Sequence, residues 1–254
     1  MSAPKTYFIT GANRGLGKGF TEKLLQRPGV TVVATARDPA KAAALNSLHK
    51  GEGSKLIILK LDSQVDADAA AAVAQLQKDH GIKSLDVVIA NAGIMHSGTT
   101  VSKTTPDSLR DHFNTNSIGP VTLFQAVSPL LQASSTGNPI FLPISTLLGS
   151  IGSQESLAAF PQTFSPYGAS KTALNWLVSR LHFEEPWLTT YAVHPGLVLT
   201  DMATSVIPAG VDPASVGAID VDTSITGLLK LLDTATRAEI GGKFKNYDGT
   251  PLPW

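Results

Sequence analysis

Tyr7-Phe8-Ile9-Thr10-Gly11-Ala12-Asn13-Arg14-Gly15-Leu16-Gly17 is the stretch that decides the fold. An apolar, strand-like run breaks into a glycine-rich turn and then into a helical pattern. Three glycines at such a junction permit a tight bend, close approach of backbone to a pyrophosphate, and close packing of the new helix on the strand. The helix amino terminus then faces the anion. Because glycine also serves any exposed turn, this reading needs a second feature. Tyr167-Gly168-Ala169-Ser170-Lys171 supplies one: at helical spacing, residues four apart share a face, which brings an ammonium near a phenol.

Together and in this order, the two segments resemble the short-chain dehydrogenase/reductase family, whose pattern is Thr-Gly-x-x-x-Gly-x-Gly followed by Tyr-x-x-x-Lys. The resemblance runs from residue 5 to about residue 202. It implies a nicotinamide cofactor, a proton-donating Tyr167, and a Lys171 that binds the nicotinamide ribose and whose ammonium stabilises the phenolate, drawing the phenol down toward a useful range.

Bulk composition agrees with a compact α/β enzyme. The 254 residues suit one domain with a sizeable core. With 20 basic and 20 acidic side chains and no basic block, nothing attracts nucleic acid or an anionic membrane. No cysteine is present, which removes disulfides, thiolate nucleophiles and zinc–thiolate sites. The six histidines lack His-Glu-x-x-His spacing, so no metal is expected, and no Gly-x-Ser-x-Gly elbow suggests a hydrolase. No signal core or bilayer-length apolar run is evident, which makes the cytoplasm the expected location.

Strand-like runs fall near residues 7–10, 30–35, 56–59, 86–90, 139–145, 189–194 and 243–247, separated by helical patterns. This alternation predicts a single Rossmann domain over residues 1–254, a doubly wound parallel sheet of about seven strands with its ligand beyond the strand carboxyl ends. The Ala-rich stretch 67–74 reads as a small-residue helix face.

The cofactor candidates lie at those ends. Gly11, Asn13, Arg14, Gly15, Leu16 and Gly17 form the phosphate loop. After the second run, where NAD-binding folds place an acid on the ribose hydroxyls, stands Ala36-Arg37-Asp38. Arg37 and Arg14 both suit a 2′-phosphate, so NADP(H) is the expected cofactor; Asp38 serves the ribose only if the register lies two residues later. The resemblance places Asp62 and Ser63 at the adenine. It sets Asn91-Ala92-Gly93 against the cofactor, although an Asn-Gly-type turn alone explains that triplet, and Asp62 also suits a cap or turn. Pro195, Gly196, Val198 and Thr200, within His194-Pro195-Gly196-Leu197-Val198-Leu199-Thr200-Asp201-Met202, match the segment over the nicotinamide carboxamide. Residues 202–220, with turn-forming Pro208, Gly210 and Pro213, read as a mobile substrate lid. His194 reads as a packed loop residue rather than a catalyst.

Two places depart from the commonest family pattern. The substrate-polarising hydroxyl is usually a serine three residues before a glycine; Ser145-Thr146-Leu147-Leu148-Gly149 puts Thr146 at that spacing and Ser145 one earlier. Adjacent strand residues face opposite ways, so one of the two serves; register favours Thr146. The span from Thr146 to Tyr167 is also long, 21 positions, as in the carbonyl-reductase-like and fungal ketoreductase-like branches. Its Leu157, Phe160 and Phe164 either wall a substrate pocket or cover the core. Asn116 corresponds to the family asparagine that, with a local helix distortion, holds a water beside the lysine; alternatively it caps a helix starting near Ser117.

The resemblance therefore implies NADPH-dependent reduction of a small carbonyl compound, by a homo-oligomer, dimer or tetramer. Two alternatives stand beside it: a biosynthetic reductase acting on an imine or iminium or guiding a later non-redox step, and an NADP-binding regulatory protein, which need not keep Tyr167 and Lys171. An extended sugar-nucleotide epimerase has a different glycine spacing.

Overall fold

A computed structural model describes residues 5–96, 98–158, 163–204 and 210–254. Its centre is a parallel sheet of β1 (Thr6–Ile9), β2 (Thr31–Ala36), β3 (Lys55–Lys60), β4 (Val87–Ala90), β5 (Ile140–Pro143) and β6 (Thr189–Thr190), ordered β3-β2-β1-β4-β5-β6. Both faces of the sheet are covered, which is why the strands read as unbroken apolar runs. Period-two alternation divides their side chains. Tyr7, Ile9 and Val32 pack with Phe20 and Leu24 of α1 (Gly15–Leu25) and Ile225 and Leu228 of α7 (Val221–Thr234). Phe8, Val33 and Val88 pack on the other face with Ala69 and Ala72 of α2 (Asp66–His80) and Leu123 and Val127 of α4 (Gly119–Gln132). Small alanines on α2 thus bring that helix close to the sheet.

The chain leaves β1 toward β2 and β3 on one side and returns to β4 on the other. The carboxyl ends of β1 and β4 therefore flank the topological switch point, where open α/β sheets bind ligands.

The seventh strand position is built differently from its expected form. The run at residues 189–194 is interrupted at Tyr191: Thr190 gives its carbonyl to the Gly242 N–H at 2.8 Å, and the chain resumes as β7 (Ala192–His194) beside β10 (Phe244–Asn246). An antiparallel edge, β11 (Pro251–Leu252), completes that three-stranded unit. The fifth run also ends early, at Pro143; Ile144 still donates to the Ala90 carbonyl at 3.0 Å and Ser145 to that of Val193 at 2.8 Å.

Between them, β8 (Leu197–Val198) and β9 (Ala218–Ile219) form a short parallel pair that pins both ends of the expected lid. Within that segment lie α6 (Asp201–Thr204) and a 3₁₀ turn, Pro213–Val216. Pro208, like Phe160 of the long span before Tyr167, lies outside the described residues. No helix among the described residues is long and apolar enough to cross a membrane.

Candidate active site

The loop between β1 and α1 is shaped by backbone conformations that favour glycine: φ is +64° at Gly11 and +52° at Gly15. At Gly17 the constraint is space. A Cβ there would run into the Gly11 carbonyl oxygen and come within 2.6 Å of Asn91 Nδ2. Thr10 ties the loop to the end of β4, its hydroxyl accepting from the N–H groups of Asn91 (3.0 Å) and Ala92 (2.9 Å). Asn91 returns the tie, its amide donating to the carbonyls of Thr10 (2.9 Å) and Gly11 (3.2 Å). The Asn91 side chain is thus spent on holding the loop.

The first turn of α1 has no acidic residue, and its N-cap residue Arg14 makes no side-chain cap bond. The N–H groups of that turn lack intrahelical acceptors, so this end presents donors and positive dipole to an anion such as a pyrophosphate. The loop thereby fits a dinucleotide on its own donor chemistry; Asn13 and Leu16 lie within it, Leu16 packed against the core. Arg14 reaches across to Asp201 at 3.3 Å, but both side chains are largely exposed, so the pair is weak and readily exchanged for a phosphate. Arg37 is exposed immediately past β2. Asp38 accepts from the Ala40 N–H at 3.0 Å and caps the following 3₁₀ turn, Pro39–Ser47, two residues past the end of β2 at Ala36.

Asp62 sits just beyond β3 and turns its carboxylate onto the Gln64 N–H at 3.0 Å. Ser63 packs against Gly119, where a Cβ would approach the Ser63 carbonyl to 2.8 Å.

A second group converges around Gly93. A Cβ there would lie 3.2 Å from Asn116 Oδ1 and 3.7 Å from Lys171 Nζ. Asn116 does not cap a helix: it sits inside a π turn, Asn114–Ile118, that joins α3 (Pro106–Phe113) to α4 without a break. Its carboxamide accepts from the Ile94 N–H (2.9 Å) and donates to the Ile94 carbonyl (2.9 Å) and to Ser170 Oγ (3.0 Å). Both amide hydrogens are therefore used within the protein, to fix the segment after Gly93. His112, one turn earlier, accepts from the His96 N–H at 3.4 Å and extends the same hold.

Tyr167, Ser170 and Lys171 lie on α5 (Ser165–Glu184). Lys171 Nζ donates to the Ile144 carbonyl at 2.7 Å and stands 6.0 Å from the centroid of the Tyr167 ring. Burial lowers Lys171 to about 8. Burial also pushes Tyr167 up to about 12, against a smaller downward pull from its hydrogen bond with the Thr146 side chain. The expectation that Lys171 draws the phenol down is not met here: burial dominates at both groups, and the pull that opposes it on Tyr167 comes from Thr146.

Thr146 and Ser145, beyond the end of β5, meet different residues of α5. Thr146 faces Tyr167, whereas buried Ser145 donates to Asn175 Oδ1 at 2.5 Å, away from the phenol. Past β7, Gly196 takes φ +87° and the Pro195 carbonyl accepts from Ser224 Oγ at 2.6 Å. Val198 is buried in β8, and Thr200 immediately precedes α6, its carbonyl accepting from the Thr204 N–H at 2.9 Å. His194 is neutral, held down to about 4 by burial.

Thr10 and Ser170 stand inside the two motifs without an assigned role, and Asn175 and Ser224 stand outside them. Ser170 and Asn175 had a signal available, since they share a helix with Tyr167 and Lys171.

A dinucleotide loop at the switch point, facing a tyrosine, lysine and threonine gathered from α5 and the end of β5, defines an oxidoreductase of the Rossmann type. The short chain dehydrogenase family model matches residues 5–209, and the chain belongs to that family. It is 38% identical over 251 residues to a norsolorinic acid ketoreductase of Dothistroma septosporum, covering 98% of this chain and 92% of that one. A short chain dehydrogenase of Penicillium aethiopicum is also 38% identical, over 99% of this chain and all of that one. Among solved structures, the NADPH-bound carbonyl reductase from chicken fatty liver superposes with a TM-score of 0.85 at 31% identity, over the whole of both chains.

Proposed function

We propose that this protein reduces the carbonyl group of a small organic molecule to an alcohol with NADPH, Tyr167 giving the proton. The observation that carries this reading is the meeting of Thr146 and Tyr167 beside a buried Lys171. Similarity to the ketoreductase and to the NADPH-bound carbonyl reductase supports it. Gly11 to Gly17 hold the pyrophosphate, Arg37 and Arg14 the 2′-phosphate, Asp62 and Ser63 the adenine. Gly93 and Lys171 hold the nicotinamide ribose, and Pro195, Gly196, Val198 and Thr200 the carboxamide. The bound nicotinamide supplies the hydride.

As negative charge grows on the substrate oxygen, Thr146 donates a hydrogen bond to it and Tyr167 transfers its proton. A phenol raised to about 12 is firmly protonated at neutral pH, the state a donor needs, and an alkoxide is a stronger base than the phenolate left behind. The test is NADPH consumption against a panel of ketones, aldehydes and imines, with the product identified. Turnover of imines alone moves the function to imine reduction, and tight NADPH binding without turnover of any of them favours a regulatory protein.

Two further outcomes are expected. Arg37→Ala weakens NADPH by about 1.5–3 kcal/mol, the value of a charge-assisted hydrogen bond, and leaves NADH nearly unaffected; equal changes in Kd for both cofactors remove Arg37 from the 2′-phosphate. Carbonyl reduction is flat with pH below about 8 and falls above it, because Lys171, lowered to about 8 by burial, then loses the ammonium that binds the ribose. A profile level well into the alkaline range shows that this charge is not needed.

A further inference from the structure

The turn that presents Thr146 is gripped from α5 by a residue the motifs do not contain. Asn175 lies one helical turn beyond Lys171 and is buried. Its Oδ1 accepts from Ser145 Oγ at 2.5 Å, and its Nδ2 donates to the Gly149 carbonyl at 3.1 Å. The two partners bracket Thr146: one is the residue before it, the other closes the 3₁₀ turn Leu147–Gly149 that Thr146 caps. Only a group with an acceptor on one end and a donor on the other satisfies both. Gly149 in turn lies so close to α5 that a Cβ there would come within 2.8 Å of Lys171 Cβ.

We propose that Asn175 is a positioning residue, which by holding Ser145 and Gly149 at once aims the Thr146 hydroxyl at the substrate oxygen beside Tyr167. This rests on the reading of Thr146 as the polarising group. The clamp explains why two adjacent hydroxyls do not compete: Ser145 is committed to Asn175, which leaves Thr146 as the hydroxyl that meets Tyr167. Thr172 Oγ1 also donates to the Gly149 carbonyl, at 2.9 Å, so loss of Asn175 loosens the turn without freeing it.

The test is a double-mutant cycle on carbonyl reduction with NADPH affinity measured alongside. Asn175→Leu keeps the volume and removes both hydrogen bonds. It is expected to lower kcat about tenfold, a loss of the size seen for coupled neighbours, with the Kd for NADPH within about twofold of wild type. In a Thr146→Val background the same change should cost less than about twofold, because there is no hydroxyl left to aim. Ser145→Ala cuts only the strand side of the clamp and should lower kcat several-fold, again only when Thr146 is present; it serves if Asn175→Leu fails to fold. An undiminished loss in the Thr146→Val background, or wild-type kcat in both variants, overturns the positioning role alone. If Thr146→Val by itself leaves kcat unchanged, the reading of Thr146 falls and the inference falls with it.

Discussion

Tyr167→Phe slows carbonyl reduction by about 10²-fold or more, the scale of a lost general acid, while NADPH binds with near wild-type affinity. The substitution removes one hydroxyl and keeps the ring that stands over Lys171, so the ribose-binding ammonium keeps its place. Lys171 Nζ is anchored on the Ile144 carbonyl rather than on the phenol, a second reason for cofactor binding to survive. Lys171→Ala, in contrast, damages both steps. Stopped-flow hydride transfer and cofactor titration, run on the same preparations, separate the two effects. A near wild-type kcat for Tyr167→Phe would assign the proton to an acid carried by the substrate itself.

Thr146→Val keeps the shape of the side chain, removes its donor, and lowers kcat by about 10²-fold or more, as for other groups that stabilise a developing oxyanion. Thr146→Ser stays active, since it keeps the hydroxyl and only loses a methyl. Ser145→Ala costs much less, because that hydroxyl is turned onto Asn175. Steady-state kinetics of the three variants order them directly. The reverse order, with Ser145→Ala inactive and Thr146→Val tolerated, transfers the role to Ser145.

The two hydroxyls mark the limit of what the chain reveals before it folds. Spacing to Gly149 favoured Thr146, and the alternation of a strand said that one of the pair must turn away. Which one was decided by Asn175, whose placement depends on how α5 packs against the turn after β5. A similar limit applies to Asn116, since a π turn and a helix cap draw on the same residue types. The unbroken passage from α3 to α4 separates them only once Asn116 reaches Ile94 and Ser170.

Charge behaviour lay further out of reach. Sequence places an ammonium near a phenol and suggests that the first stabilises the ionised second. Burial is a property of the whole fold, and here it opposes both charges, raising Tyr167 and lowering Lys171. The break at Tyr191, the antiparallel edge at β11 and the β8–β9 pair likewise involve too few residues to leave a periodic trace.

What the sequence determined by itself is the architecture and the location of the chemistry. Short unbroken apolar runs alternating with helical patterns, three glycines at a strand-to-helix turn, and a tyrosine and lysine one helical turn apart are local patterns, and local patterns carry their own physics. What only the tertiary structure decided is which side chain meets which across the ends of the strands: Asn91 on the glycine loop, Thr146 on Tyr167, Ser145 on Asn175. Those partners lie from 21 to 81 positions apart in the chain, and their hydrogen bonds exist only because packing removes the water that would otherwise satisfy them.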